Sequence, residues 1–151
     1  LQFLRLDHPL EQADQLLPAF EAIRQRCRQT VRSTADAMLL LLAKKVASQQ
    51  AAAIVGVREP FPDRIQTLHV LEIYENDWLG TRFASITLAW SGSRMSQRDY
   101  AALTDVLSRG ARAVGMQTLC FNSGRSVPAF KRVASRLGFK IIETAQFEKE
   151  V

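Results

Sequence analysis

A chain of 151 residues, 47% hydrophobic and 23% charged, has the length and balance of one globular domain with a real core rather than of a disordered or fibrous protein. The longest apolar run, residues 37–43, falls far short of the roughly 18–20 residues a membrane span needs, so no helical span is expected. The net charge of +5 favours anionic partners such as a phosphorylated cofactor, but the basic residues are dispersed and no aromatic-interleaved basic stripe marks a nucleic-acid binder.

The first segment, residues 1–6, alternates apolar and polar side chains and predicts a strand. Asp7 or His8 can cap the helix that follows, and Pro9 suits its first turn. Leu10, Ala13, Leu17, Phe20, Ile23 and Cys27 recur at helical steps to about Arg28, with Pro18 expected to bend the helix or break it in two. Ser33 or Thr34 can cap a second helix running to about Ser48, in which Met38, Leu39, Leu41, Leu42 and Val46 are expected to be buried. The period then changes to that of strands. Residues 51–57, 65–74 and 83–90 predict three consecutive antiparallel strands, the first two separated by a turn at 59–63 whose two prolines cannot sit in a paired ladder. In the third, Phe83, Ser85, Thr87 and Ala89 alternate with Ala84, Ile86, Leu88 and Trp90. Ser96 and Asp99 have the spacing of a capping box, Tyr100, Leu103, Leu107, Ala111 and Val114 form a helix face, and Gly115 stops it. A strand at 117–121, a polar loop from Asn122, a helix at 127–137 ended by Gly138, and a strand at 139–144 complete the order, with a last short strand possible at 146–151. No repeat or linker divides the chain, which predicts a single domain over 1–151.

Cys27 and Cys120 lie at apolar positions and are expected to be buried, reduced thiols, which suits a cytoplasmic compartment. No Cys/His spacing suggests a metal site. No secretory leader is expected, because Leu1 opens directly into a strand pattern, and the lack of an initiator Met implies trimming or processing. His8 and His69 have no nucleophile partner and read as structural. The arginines at 24, 26, 28 and 32 are explained by a solvated helix face, with an anion-binding module as the competing interpretation.

The element order β-α-α-β-β-β-α-β-α-β, an α+β (α/β) arrangement around a mixed central sheet, resembles the GNAT superfamily, the Gcn5-related N-acetyltransferases. At residue level the resemblance rests on Gly115, Asn122 and the pair Gly138-Phe139. It implies acetyl-CoA as cofactor and an amine as acceptor. It also implies a fourth strand that splays from the fifth, with pantetheine bonded to backbone groups of Ala89 and Trp90. The pyrophosphate would lie at the start of the next helix, framed by Arg94, Ser96, Gln97 and Arg98, with Asn122 near the thioester. The physical basis is general, since unpaired N–H groups and the helix dipole favour an anion there.

The chain also departs from the family. The phosphate loop usually has small residues where this chain has Gln97 and Asp99, and Asp99 is an anion able to occupy the helix-start donors. The tyrosine many members carry four residues before the terminal Gly-Phe is Ala134 here, and no catalytic residue is assigned. Tyr100 reads as core. Glu72 and Glu75 are the nearest carboxylates for a base, with a solvated strand end the simpler explanation. These departures leave two functions open: a divergent N-acetyltransferase, or an inactive GNAT-fold structural or interaction module with a protein assembly partner. The internal virion proteins of short-tailed phages resemble the chain in the same asparagine-loop, helix, glycine, strand pattern, which implies a virion location for that alternative.

Overall fold

The computed structural model describes residues 1–27, 31–121 and 128–140. One five-stranded sheet runs in the order β1 (Gln2–Leu6), β2 (Ala51–Arg58), β3 (Phe61–Asn76), β4 (Thr81–Ser91), β5 (Leu119–Phe121). The first three pairings are antiparallel and β4–β5 is parallel, as the intervening helix requires. The helices are α1 (Ala13–Arg26), α2 (Ala35–Ala47), α3 (Gln97–Ala113) and α4 (Pro128–Arg136).

The sheet is covered on both faces, and the two-residue period of its strands sorts side chains between two cores. Ala51, Ala53 and Val55 of β2 and Leu68 and Val70 of β3 pack with Leu16, Phe20, Leu39, Leu42 and Val46 of α1 and α2. Ile54 and Leu71 point the other way, to Leu103, Leu107 and Ala111 of α3. Cover on both sides explains why β2 reads as a continuous apolar run rather than an alternating one.

The expected helix signals form at their sequence positions. The Thr34 hydroxyl accepts the Ala37 N–H at 3.1 Å. Gly115 takes φ +79° after α3, and the Met116 N–H returns to the Ala111 carbonyl at 2.9 Å. Gly138 takes φ +85° after α4.

Several expectations are corrected. Pro18 does not break the first helix, which runs unbroken from Ala13 to Arg26. The irregularity lies earlier, as a 3-10 turn at Pro9–Gln12 whose N-cap, His8, makes no side-chain cap bond. Pro18 removes one bond in the second turn, and burial of Leu16, Ala19 and Phe20 on either side of it holds the helix. On α2 only Leu39, Leu42 and Val46 are buried, while Leu41 is 53% exposed beside the equally open Leu40. Pro62 lies inside β3, but the register passes from Arg58↔Phe61 to Val57↔Ile65, so the proline opposes no β2 residue. The Gln15 side chain serves that stretch instead, accepting the Ile65 N–H and donating to the Asp63 carbonyl. The fifth strand is shorter than 117–121, although the Thr118 carbonyl still accepts the Ala84 N–H at 3.0 Å. Phe139 starts no strand, because its N–H closes the end of α4 on the Ala134 carbonyl at 3.0 Å. The remainder of that strand, and 146–151, lie outside the described residues. Cys27 is exposed at the end of α1 rather than buried, and Cys120 is half-buried in β5. Arg24 is engaged by the Glu21 carboxylate and the Ser33 carbonyl, which reduces the arginine cluster as an anion site.

Candidate active site

Among the described residues the ladder between the two central strands ends at Ile86 and Phe121. The parallel ladder pairs Ala84, Ser85 and Ile86 with Leu119, Cys120 and Phe121, and β4 then continues to Ser91 with no further partner on that edge among the described residues. A β-bulge marks the place: Val70 opposes Leu88 and Leu71 opposes Ile86, leaving Thr87 as the extra residue on β4. The bulge reverses the phase of the strand. Ile86 packs in the α3 core, whereas Leu88 and Trp90 pack in the α1/α2 core, so the uninterrupted alternation expected for 83–90 is corrected at Thr87.

Beyond Ile86 the backbone groups of β4 alternate between the β3 side and the side without a described partner. The Gly92 N–H donates to the Gln66 carbonyl at 2.9 Å, which fixes the phase of the antiparallel β3–β4 ladder. Trp90, opposite Leu68, turns its N–H and C=O toward β3, and Ala89 turns its own toward the open side. Ala89 and Trp90, both expected to meet pantetheine, thus turn their backbone groups to opposite sides of β4. The Trp90 indole instead forms part of the α1/α2 core and underlies the following loop. A Cβ on Gly92 would stand 2.7 Å from the indole ring carbons, so glycine is what lets the chain cross the ring.

That loop delivers the start of α3 beside the open edge. Arg94, Ser96, Gln97 and Arg98 are all exposed there, whereas Met95 and Asp99 are buried. Ser96 and Asp99 close the capping box: the Asp99 N–H donates to Ser96 Oγ at 3.1 Å, and Asp99 Oδ2 accepts the Ser96 N–H at 2.8 Å and the Ser96 hydroxyl at 2.9 Å. Asp99 also accepts from Arg58 at 3.4 Å. Burial pushes the Asp99 carboxyl up, but the Ser96 N–H and hydroxyl that it accepts draw it below the usual carboxylate range. The N–H groups of Gln97 and Arg98 remain the open donors of the helix start.

A second polar group lies on the α1/α2 face of the same strands. Glu72 is not the solvated strand-end carboxylate that was expected. Its side chain is 13% exposed and ion-paired with Lys45 from the last turn of α2. Burial pushes the Glu72 carboxyl up, yet the hydrogen bond and charge of Lys45, with Thr87 and Tyr74, bring it below the usual carboxylate range. The hydrogen bond to Glu72 in turn raises Lys45. The Thr87 hydroxyl is buried beside this pair without the geometry of a formed hydrogen bond. Glu75 is exposed and paired with Arg82 at 2.6 Å, as expected of a strand-end carboxylate. Tyr100 is half-buried against the α3 core, and Ala134 is buried and carries no ionisable group. Asn122 lies outside the described residues.

Sequence reasoning missed Thr87 and Lys45. A bulge has no composition of its own, and nothing in Lys44-Lys45 at a helix end singles out a partner 27 residues away. It also missed the environment of His69, which is buried with Nδ1 unpartnered and is lowered by burial to a pKa of about 4. Two clefts lie elsewhere: one of about 210 Å³ between α3 and the end of α4, and one of about 370 Å³ at the start of β4 and β5. Among the described residues no His/Cys/Asp/Glu cluster suits a metal ion, and no helix is long and apolar enough to cross a membrane.

No protein-family model and no curated protein sequence matches this chain. Its structure is similar to many solved ones. A ribosomal-protein-alanine N-acetyltransferase from Brucella melitensis biovar Abortus 2308 superposes with a TM-score of 0.69 at 14% identity, over 99% of this chain and 100% of that one. A predicted acetyltransferase with acetyl-CoA from Clostridium acetobutylicum gives 0.70 at 13% identity, over 98% and 95%. An aminoglycoside acetyltransferase from an uncultured soil metagenomic sample, in complex with sisomicin, gives 0.71 at 14% identity, over 99% and 95%. At these identities the likeness establishes the fold, and the chain has the GNAT acetyltransferase fold.

Proposed function

We propose that the protein is an acetyl-CoA-dependent N-acetyltransferase with a divergent phosphate loop. The observation that carries this reading is the open edge of β4. Beyond Ile86 the strand has no partner on that side among the described residues; it bulges at Thr87 and turns the Ala89 backbone away from β3, directly before a helix start with two unused N–H donors. In this reading Ala89 meets the pantetheine amides, while the Gln97 and Arg98 N–H groups, with the Arg94 and Arg98 guanidinium groups, hold the pyrophosphate. Ser96 keeps its hydroxyl in the cap, Gln97 projects into solvent, and Trp90 supports the loop from below. Asn122 remains the candidate for the thioester end. Acetyl-CoA supplies the activated acyl group, and the acceptor is an amine. The test is release of CoA thiol from acetyl-CoA in the presence of a panel of primary amines, with each acetylated product identified by mass. Turnover of an amine above the uncatalysed rate supports the reading, and absence of turnover across the panel weighs against it.

The buried Asp99 supports a second reading, in which a GNAT-fold domain serves as a structural or interaction module, for instance in a virion. Its carboxylate fills the capping box that a family phosphate loop leaves to small residues, and Ala134 offers no acid. Under that reading the open helix-start donors hold no phosphate.

A further inference from the structure

We infer that the Glu72 carboxylate is a subsite for a primary alkylammonium, occupied in the resting protein by the protein's own Lys45, and that its external ligand is the protonated acceptor amine. The identity of that ligand rests on the acetyltransferase reading, whereas the cation site does not.

The site is built from adjacent rungs of one sheet face. Glu72 pairs in register with Ala51 on one side and Ser85 on the other. The next rung holds Tyr74 and Phe83, whose rings stack with centroids 5.7 Å apart and planes 14° from parallel. In the other direction stands Thr87 at the bulge, its hydroxyl buried and retaining capacity to accept a hydrogen bond. A carboxylate, a hydroxyl and a partly open aromatic pair form a suitable lining for an ammonium on an apolar stem.

The arrangement is layered by depth. The Glu72 side chain is 13% exposed and that of Lys45 33%, so the carboxylate is the more covered partner of the pair. A half-buried carboxylate is favoured by a nearby counter-charge. Lys45 supplies that charge from the last turn of α2 through a flexible four-carbon stem, which can swing outward while the helix stays in place. Lys45 is itself a primary alkylammonium and thus shows the class of ligand the carboxylate accepts. It is also a tethered competitor, with an effective concentration on the order of millimolar or more, which an external amine must overcome. The site lies at the bulge from which the open edge of β4 begins, on the opposite side of the sheet from α3.

The test uses amide NMR spectra of the folded protein, titrated with n-butylammonium and with n-butanol as the uncharged control. Lys45→Met retains the stem and removes the competing charge. It is expected to bind n-butylammonium at least tenfold more tightly than the wild type, with shifts centred on Ser85 and Thr87 and none of them produced by n-butanol. Adding Glu72→Gln to Lys45→Met is expected to abolish the binding. Lys45→Gln serves the same purpose if the methionine variant does not fold. A folded Lys45 variant with no butylammonium-specific shift, or an affinity unchanged by Glu72→Gln, overturns the cation site. Acetyl-CoA titrations on the same samples separate the two layers. Butylammonium binding without acetyl-CoA binding removes the acceptor assignment and leaves the cation site, and the reverse removes the cation site alone.

Discussion

Ile86 and Leu88 stand two residues apart on β4 and pack on opposite faces of the sheet, Ile86 against α3 and Leu88 against α1 and α2. Thr87 between them is the extra residue that makes this possible. Deleting Thr87 restores simple alternation and turns Leu88 and Trp90 out of the core they fill, at an expected cost of more than about 4 kcal/mol. Thr87→Ala retains the bulge and is expected to cost about 1 kcal/mol or less. Thermal unfolding of the two variants checks this: comparable melting temperatures would show that residue count at the bulge does not set the phase.

Burial makes His69 a source of acid sensitivity. The folded protein holds its imidazole neutral down to about pH 4, while the unfolded chain takes up the proton near the ordinary histidine value of 6.5. The folded pKa is the depressed one, so the contribution is complete above about pH 6.5 and is lost as the pH falls through 4. Its full extent is on the order of 3 kcal/mol. Urea unfolding between pH 7 and 4.5 is expected to show falling stability in the wild type, and His69→Leu is expected to flatten that slope. An equal slope in both would assign the sensitivity to other groups.

Asp99 stabilises the start of α3 and occupies part of its anion-binding capacity. Its carboxyl is also held below the ordinary value of 3.8, so its contribution is present above that value and is lost as the pH falls through the depressed folded value. Asp99→Gly removes half the capping box and is expected to destabilise the fold by about 1–3 kcal/mol. The same change frees the Ser96 N–H and removes an anion, so acetyl-CoA affinity is expected to rise severalfold. Paired unfolding and binding measurements check both directions, and tighter binding without any loss of stability would contradict the dual role.

Gly92 permits a close approach to Trp90. Gly92→Ala places a Cβ 2.7 Å from the indole and must displace either the ring or the loop, at an expected cost of about 1–3 kcal/mol. Because Trp90 is in the α1/α2 core, the change is expected to alter its fluorescence. An unchanged spectrum and melting temperature would show that the loop moves freely.

The signals legible in the sequence were the local ones. Thr34, Ser96 with Asp99, Gly115 and Gly138 act through their own backbone within a few residues, and each helix boundary they mark is present. What escaped depended on contacts between distant segments. Pro18 is tolerated because its flanks are buried, Leu40 and Leu41 are exposed because the sheet takes only one side of α2, and Cys27 is exposed because α1 ends at Arg26. The site divides in the same way. The exposed Arg94, Ser96, Gln97 and Arg98 and the buried Asp99 cap follow from local spacing. The outward turn of Ala89 but not Trp90, the bulge at Thr87 and the Lys45–Glu72 pair arise from pairing register between strands and from packing across layers.

The most direct measurement is acetyl-CoA binding to the folded wild-type protein by calorimetry, with Arg94→Ala alongside. The account predicts saturable binding, roughly micromolar to sub-millimolar, weakened about tenfold by loss of the Arg94 contact. A folded wild-type protein that binds no acetyl-CoA at millimolar concentration would contradict it. Binding restored by Asp99→Gly would then identify the filled helix start as the cause and leave the structural module as the function.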